Sequence, residues 1–257
     1  MAPLNVANIG AGPAGCLLAR LLHINGIQFT VFEAEASPDS RRIQGGTLDL
    51  HAKTGIAALK AAGLYDEFTK LARFDGSSLT ICDKRNQPYF RLPALFTNNP
   101  EIDRVQLRSL LLQSIPSDRN RGKVQGGFSL VVGADGAWSV VRSGLRDPLP
   151  EYSGISGFDM SMPNAQEKAL PTYDLLQRGN LFAFSDGKSI IAQQMGDGSI
   201  HVSAWGRKNI EWANETRAQL PSLRDTTSEY ADWAPELVDM INQTERHIRA
   251  SSFYMLP

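Results

Sequence analysis

A strand, a glycine-rich turn, a helix and a second strand open this sequence, and the turn constrains the fold most. Gly10, Gly12 and Gly15 stand at the fixed positions of a G-x-G-x-x-G spacing, with Pro13 and Ala14 between the last two. Such glycines let a backbone approach a pyrophosphate at the N-terminus of a helix, because no side chain blocks the ligand. The turn therefore predicts a β-α-β unit that binds a dinucleotide.

The residues on both sides of the turn make this prediction more specific. Glu33 follows the second strand, 18 residues after Gly15, about where such folds place a carboxylate that binds a ribose. Residues 4–9 form a mostly apolar run, which is typical of a strand buried on both faces of a parallel sheet. Asn8 is a polar exception in that run and needs hydrogen-bond partners. A strand–helix turn without a ligand is the alternative, and the acid argues against it.

Composition argues against several functional classes. Of the 257 residues, 42% are hydrophobic and 21% charged, and the formal net charge is -1, which gives no electrostatic basis for binding nucleic acid or an anionic membrane. No run approaches the ~20 apolar residues of a membrane helix, and no secretory signal is expected. Cys16 and Cys82 predict no disulfide framework, and the histidines show no metal-ligand spacing. We expect a cytoplasmic protein without nucleic-acid partners or stable membrane insertion.

A second glycine-bearing stretch follows the β-α-β unit. Arg42 begins the run R-x-x-G-G-T-L-D-L-H, in which Gly46, Thr47, Leu48 and Asp49 stand together. Two adjacent glycines after a basic pair indicate a backbone that passes close to a flat or charged group.

These three features together resemble the flavin-dependent aromatic hydroxylase family. The run from Arg42 is most similar to the branch that contains the tetracycline-inactivating monooxygenases. The resemblance implies an α/β fold, with a Rossmann-like, three-layer (ββα) FAD-binding domain interleaved with a mostly antiparallel β-sheet substrate domain. It also implies that residues 10–15, Glu33 and residues 46–49 bind FAD, with Asp49 near the flavin and Arg42 near the nicotinamide donor.

A helix is predicted after Asp103, which can cap it, and its apolar face consists of Leu107, Leu110 and Leu111. Arg104 in its first turn opposes the helix dipole, which favours acids there, and such local conflicts are common at ligand sites. The family has an Arg-x-x-Leu-Arg motif at this point, whose first arginine lies against the flavin. The resemblance therefore gives Arg104 that role, with a solvated arginine as the alternative.

A third motif follows an apolar strand at residues 128–132. The run from Gly133 to Arg142 reads G-A-D-G-A-W-S-V-V-R, and Ser139 is the predicted cap of the next helix. It is similar to the family's Asp-Gly motif, which helps to hold the flavin pyrophosphate and the nicotinamide donor. That similarity assigns Asp135 to the cofactor, and a simple turn-forming aspartate is the alternative.

The second half of the chain predicts an antiparallel sheet. Alternating runs occupy residues 155–162, 181–185, 190–195 and 200–205, and the last two should form a hairpin. Another hairpin is predicted at 77–91, helices at 209–220 and 227–244, and a strand at 246–255. In the family this sheet forms the floor of the substrate pocket above the flavin. The residues that could line that pocket, or equally pack in the core, are Phe158, Met160, Met162, Phe182, Phe184 and Trp205.

The resemblance also predicts the domain division and two differences from the family. The FAD-binding domain would comprise residues 1–75 and 100–148, and the substrate domain residues 76–99 and 149–257. Residues 113–127 are too polar and glycine-bearing for the buried strands that the family has there. The family's Gly-Asp motif would follow position 257. We therefore expect a shortened chain whose flavin site lacks one wall.

The sequence thus predicts an FAD-dependent monooxygenase that hydroxylates a small aromatic or polyketide-like substrate with NADPH and O2. FAD carries the difficult chemistry in such enzymes, so no catalytic side chain and no metal ligand are assigned. Two alternatives stay open at this point. One is a truncated, inactive flavin-fold protein, and the other is an NAD(P)-linked oxidoreductase without oxygen chemistry.

Overall fold

The computed structural model describes residues 4–35, 46–76, 78–93, 100–116, 126–145, 149–218, 222–245 and 249–256. Within them the strands are β1 (Asn5–Ile9), β2 (Gln28–Phe32), β3 (Thr47–Asp49), β4 (Leu79–Cys82), β5 (Pro88–Leu92), β6 (Glu101–Asp103), β7 (Leu130–Gly133), β8 (Glu151–Met162), β9 (Asn180–Ser185), β10 (Lys188–Gln194), β11 (Ile200–Arg207) and β12 (Arg249–Met255). The helices are α1 (Pro13–Ile24), α2 (Gly55–Ala61), α3 (Tyr65–Leu71), α4 (Arg104–Gln113), α5 (Val140–Ser143), α6 (Ala165–Lys168), α7 (Leu170–Leu176), α8 (Ile210–Ala218), α9 (Leu223–Ser228) and α10 (Pro235–Asn242).

A parallel sheet in the order β2-β1-β7 holds the glycine turn. β1 lies between its two neighbours, with Val6 opposite Phe29 on one side and Leu130 on the other. Helix α1 packs beside it and ends before Gly26, whose φ of 67° stops the helix. The core around α1 and α4 includes Cys16, Leu59, Phe68, Ile102, Leu107 and Leu111. The predicted β-α-β unit with a buried first strand is confirmed.

A second, larger sheet has the order β12-β8-β11-β10-β9-β4-β5. Its neighbouring strands run antiparallel except β4 and β9, which are parallel. The predicted hairpins at β4–β5 and β10–β11 are confirmed. Together with the parallel sheet, this arrangement confirms the predicted α/β fold class. A short third ribbon, β3 with β6, runs antiparallel.

Helices cover one face of the large sheet and leave the other for the site. The covered core contains Phe158, Met160 and Met162, along with Leu237 and Met240 from α10. Side chains alternate between the faces of a strand, so Phe182, Phe184 and Trp205 lie on the opposite face. The six apolar residues proposed for the substrate pocket therefore divide into two sets of three. Only the second set can face a ligand.

The helix predicted at residues 227–244 is confirmed over α10 (Pro235–Asn242) but is wrong before it, because α9 ends at Ser228 and the chain is not helical again until Pro235. The apolar spacing of the whole stretch is helical, but a proline disfavours helical geometry in the residue before it. Ala234 is accordingly extended, with φ -55° and ψ 137°, and its N–H donates to the Lys84 carbonyl at 2.7 Å. The described helices are each too short or too polar to cross a membrane.

Candidate functional site

The three glycines of the turn have different structural roles. Gly10 has φ 106°, and a Cβ there would lie 2.4 Å from the Ala134 carbonyl oxygen. A Cβ on Gly15 would lie 2.0 Å from the carbonyl oxygen of Gly10. A Cβ on Gly12, in contrast, would meet nothing within 4 Å. The outer glycines are therefore required by packing, and the middle one leaves open space at the start of α1.

That open space lies at the N-terminus of a twelve-residue helix. Gly12 is the N-cap and contributes no side-chain cap, and Pro13 takes the first helical position, where its missing N–H matters least. Ala14 is exposed beside it. Unpaired amides and the helix dipole favour an anion at such an end. The turn thus fits a pyrophosphate.

Glu33 is positioned by the backbone of two separate segments. Its Oε2 accepts a hydrogen bond from the Ala11 N–H at 2.6 Å, and its Oε1 accepts one from the Glu35 N–H at 2.9 Å. A carboxylate oxygen has two lone pairs, so each oxygen retains capacity for a hydroxyl donor. The exposed Glu33 carboxylate therefore fits the ribose role that the sequence suggested.

Arg108 is a site residue that the sequence analysis missed. Its Nε donates to the Ala11 carbonyl at 3.1 Å, and its Nη2 lies 3.4 Å from Glu35 Oε2. Ala11, Glu33, Glu35 and Arg108 thus form a closed set of hydrogen bonds, called the turn ring below. A basic residue on the buried face of α4, next to Leu107, was the available signal.

Arg104 and residues 46–49 come together at the start of α4. Thr47 pairs with Asp103, Leu48 with Ile102, and the Arg104 N–H donates to the Gly46 carbonyl at 3.4 Å. The Arg104 residue is exposed. The family role of its side chain stays a prediction. Arg42 lies outside the described residues.

The predicted cap by Asp103 is wrong. Asp103 is the N-cap residue of α4, but its side chain makes no capping bond. Each carboxylate oxygen instead lies 3.3 Å from the N–H of Gly196, in the turn after β10. The cause is tertiary, because β6 turns this side chain toward the large sheet. Burial raises the pKa of the Asp103 carboxyl, and the Gly196 amide partly opposes that.

Glu101 lies buried beside these residues. Its Oε2 is 2.8 Å from Arg73 Nη2, and its Oε1 accepts a hydrogen bond from Asn180 Nδ2 at 3.1 Å. Burial raises the pKa of Glu101 to about 7, against the lowering effect of Arg73 and Asn180, and the nearby Asp49 carboxylate raises it further. This acid therefore changes charge near neutral pH where the β3–β6 ribbon meets β9.

The Asp135 loop is held by its own residues. Asp135 Oδ1 accepts from the Ser139 hydroxyl at 2.6 Å, and Oδ2 accepts from the N–H groups of Val140 and Val141 at 2.8 and 3.4 Å. Partial burial raises the pKa of Asp135, but these hydrogen bonds outweigh it and the pKa lies below the usual range. The predicted Ser139 cap is confirmed, since its hydroxyl accepts from the Arg142 N–H.

This loop packs directly against the glycine turn. The Ala134 N–H donates to the Ile9 carbonyl at 2.7 Å, and Gly10 approaches the backbone of Ala134 and Asp135. On its other side, the Trp138 ring lies 4.8 Å from the Tyr254 ring. A cavity of about 490 Å³ opens here, and its lining residues are Trp138, Arg249, Ala250, Ser251, Ser252 and Tyr254.

The uncovered face of the large sheet meets the β3–β6 ribbon. A Cβ on Gly46 would lie 2.1 Å from Gln193 Oε1, on β10. Gln193 pairs with His201, and Asp159 pairs with Ser203 on the next strand. Polar groups therefore continue across this face from the ribbon.

Asp159 is the centre of that polar group. Its Oδ1 accepts from the Ser203 hydroxyl at 2.7 Å and lies 3.6 Å from His201 Nε2, while Oδ2 accepts from the Ser251 hydroxyl. Burial raises the pKa of Asp159, but His201, Ser251 and Ser203 lower it more, so the carboxylate is favoured. Within the described ranges, no group of three or more His, Cys, Asp or Glu residues could hold a metal ion.

A parallel sheet with a glycine turn, beside a mostly antiparallel sheet, defines a protein of the FAD-binding monooxygenase fold. Residues 4–96 match a family model described as an FAD binding domain. The monooxygenase penA of Penicillium thymicola is 33% identical over 230 residues, which is 77% of this chain and 53% of penA. The chain spans about half the length (53%) of the curated relatives it matches.

Solved structures show the same fold. HpxO of Klebsiella pneumoniae, complexed with FAD and uric acid, aligns at TM-score 0.74 and 18% identity over 98% of this chain and 68% of that one. The 2,6-dihydroxypyridine-3-hydroxylase of Arthrobacter nicotinovorans aligns at TM-score 0.77 and 16% identity over 98% and 73%. Together with the FAD-binding domain match and the similarity to fungal monooxygenases, this shared fold supports placing the chain with the FAD-dependent aromatic hydroxylase family.

Proposed function

We propose that this chain is an FAD-dependent monooxygenase that hydroxylates a small aromatic or polyketide-like molecule with NADPH and O2. The observation that carries the proposal is the contact between Gly46, which directly precedes β3 and is bound by the Arg104 N–H, and Gln193, on the uncovered face of the large sheet. This contact places the segments suited to bind a dinucleotide next to the sheet face that is suited to bind an organic substrate.

Under this proposal the first elements hold the cofactor. The amides at the start of α1 bind the pyrophosphate, Glu33 accepts hydrogen bonds from the ribose, and Asp135 supports the pyrophosphate side. Arg104 and residues 46–49 contact the flavin, and Arg42 serves the nicotinamide donor. FAD supplies the oxygen chemistry when bound, and these residues orient it and exclude water.

The substrate would lie against the uncovered face of the large sheet. Phe182 and Trp205 offer aromatic surface there, and Asp159 with its neighbours offers hydrogen-bonding groups. One neighbour of the same fold is complexed with uric acid and another is named for 2,6-dihydroxypyridine, and both molecules are flat rings with polar substituents. Such a molecule would use both kinds of group.

Domain division and location belong to the same proposal. Two sheets with separate cores support a cofactor domain at residues 1–75 and 100–148 and a substrate domain at 76–99 and 149–257. Cys16 and Cys82 are buried free thiols, and burial raises the pKa of each to about 11. Unreactive free thiols suit a reducing cytoplasmic compartment.

The purified chain tests the proposal directly. It should carry FAD at near one-to-one stoichiometry in its absorbance spectrum, and an accepted aromatic substrate should stimulate both NADPH oxidation and O2 uptake. NADPH oxidation with hydride transfer to the substrate and no O2 uptake would favour an NAD(P)-linked oxidoreductase. A folded chain that neither binds FAD nor oxidises NADPH would support the inactive flavin-fold alternative.

A further inference from the structure

Arg108 lies where the helix pattern favours an apolar side chain. Its side chain is 10% exposed, and its neighbours on the buried face of α4 are Leu107 and Leu111. Burying a guanidinium costs free energy unless it is paired and fully hydrogen-bonded. A leucine here would extend the apolar face but would remove a donor from the Ala11 carbonyl and a cation from Glu35. The hydrogen bond to Ala11 and the ion pair with Glu35 therefore explain why a charged residue is buried here.

Arg108 fixes the backbone at the centre of the glycine turn. Ala11 is fixed through its N–H by Glu33 and through its carbonyl by Arg108, and these partners are 22 and 97 residues away in sequence. Glu35 closes the turn ring, because its N–H binds Glu33 and its carboxylate faces Arg108. One guanidinium thus connects the turn with the acid that follows β2.

We propose that Arg108 is a positioning residue for the adenosine and pyrophosphate part of FAD. It keeps Ala11 and Glu33 in the geometry in which the amides at the start of α1 and the Glu33 carboxylate bind one dinucleotide together. This inference rests on the proposed function. Arg108 acts through the Ala11 carbonyl and Glu35, and its positive charge behind the turn also favours the pyrophosphate.

Three variants separate positioning from simple stabilisation. Arg108→Met removes the charge and the donors but keeps an unbranched side chain that can fill the core. Arg108→Lys keeps the charge but loses the planar fork that reaches two acceptors. Leu111→Ala is the matched control, because Leu111 is 1% exposed in the same helix and core but lies outside the turn ring.

Amide hydrogen exchange tests the positioning without any cofactor. The rate at Ala11 is compared with that at Ala19, in the middle of α1, so that a general loosening of the domain cancels. Arg108→Met should raise the ratio of Ala11 to Ala19 rates about tenfold, the size expected for losing a charge-assisted hydrogen bond, and Arg108→Lys should raise it less. Leu111→Ala should leave the ratio unchanged. An unchanged ratio in Arg108→Met would overturn the inference.

Calorimetric titration with FAD and with ADP tests the consequence for binding, at a temperature where all variants are folded. Arg108→Met should weaken both ligands about tenfold, because ADP shares the adenosine and pyrophosphate, whereas Leu111→Ala should stay within about twofold. Equal affinities in Arg108→Met and the wild type would also overturn the inference. If the wild type binds neither ligand, the proposed function fails, and the exchange ratio still decides whether Arg108 orders the turn.

Discussion

The glycine turn and the Asp135 loop lie in contact, yet they are held in opposite ways. Asp135 is bound by Ser139, Val140 and Val141, which are four to six residues further along the chain. Ala11 is bound by groups 22 and 97 residues away. The loop can therefore form from its own sequence, while the turn depends on β2 and α4 being packed in place. The order of a site that contains both segments therefore depends on the long-range contacts that fix the turn.

The largest effect is expected where the two regions touch. Gly10→Ala should destabilise the fold by about 3 kcal/mol or more, because the residue has positive φ and its Cβ would overlap the Ala134 carbonyl. Urea unfolding followed by circular dichroism measures this. Gly26→Ala is the matched control, since Gly26 also has positive φ, 67°, but open space around it. It should cost about 1 kcal/mol, from backbone strain alone.

Equal losses of unfolding free energy in Gly10→Ala and Gly26→Ala would contradict the comparison between the turn and the loop. They would mean that the turn and the Asp135 loop are not in the close contact that makes them one site.

The contact of Glu101 with Arg73 and Asn180 is a second long-range contact, and its contribution to stability should depend on pH. The pKa of Glu101 is about 7 in the fold and 4.5 as the ordinary value, so the folded state keeps a proton that the unfolded state releases. Stability should therefore fall as pH rises from about 4.5 to 7, by at most about 1.4 kcal/mol per pH unit from this group, and then level off.

Glu101→Gln removes this titration and leaves the other groups in place. The difference in unfolding free energy between the variant and the wild type should shift in favour of the variant between pH 5 and pH 7, by about 2 kcal/mol. Unfolding in urea at three pH values measures it. Parallel curves for the two proteins would show that Glu101 is already ionised when buried beside Arg73 and Asn180.

The same contrast explains what the sequence could predict. The β-α-β unit and the cap by Ser139 follow from local patterns of residues, and both are present. Asp103 has a good capping residue type, but a backbone amide at Gly196, 93 residues away, takes its side chain. Local preference cannot foresee a tertiary partner of this kind.

Arg108 shows the same limit within the candidate site. The Arg-x-x-Leu-Arg pattern directed attention to Arg104, which is exposed, while the second arginine reaches the glycine turn. An apolar face interrupted by a cation was visible in the sequence. The group that this cation binds was not visible, because Arg108 binds Ala11 through its backbone carbonyl, which every residue type has.

Gly12 separates binding from packing within the turn itself. Gly12→Ala should change stability by no more than about 0.5 kcal/mol, since its Cβ meets nothing within 4 Å and its φ of -72° suits any residue. If the open space takes the pyrophosphate, FAD affinity should fall about tenfold, or 1.4 kcal/mol. Thermal unfolding and calorimetric titration measure the two quantities. Unchanged affinity would place the pyrophosphate elsewhere.

The smallest effect is expected in the locally held loop. Ser139→Ala removes the cap of α5 and one donor to Asp135, which should cost about 1 kcal/mol. Ser143→Ala in the same helix is the control, because its hydroxyl donates to the Val140 carbonyl within the helix and should contribute a few tenths of that. Since the bonds involved are local, Ser139→Ala should leave amide exchange at Ala11 unchanged in urea-free buffer. Faster exchange at Ala11 would mean that the loop orders the turn, and that the two halves of the site are coupled through their contact at Gly10 rather than independently held.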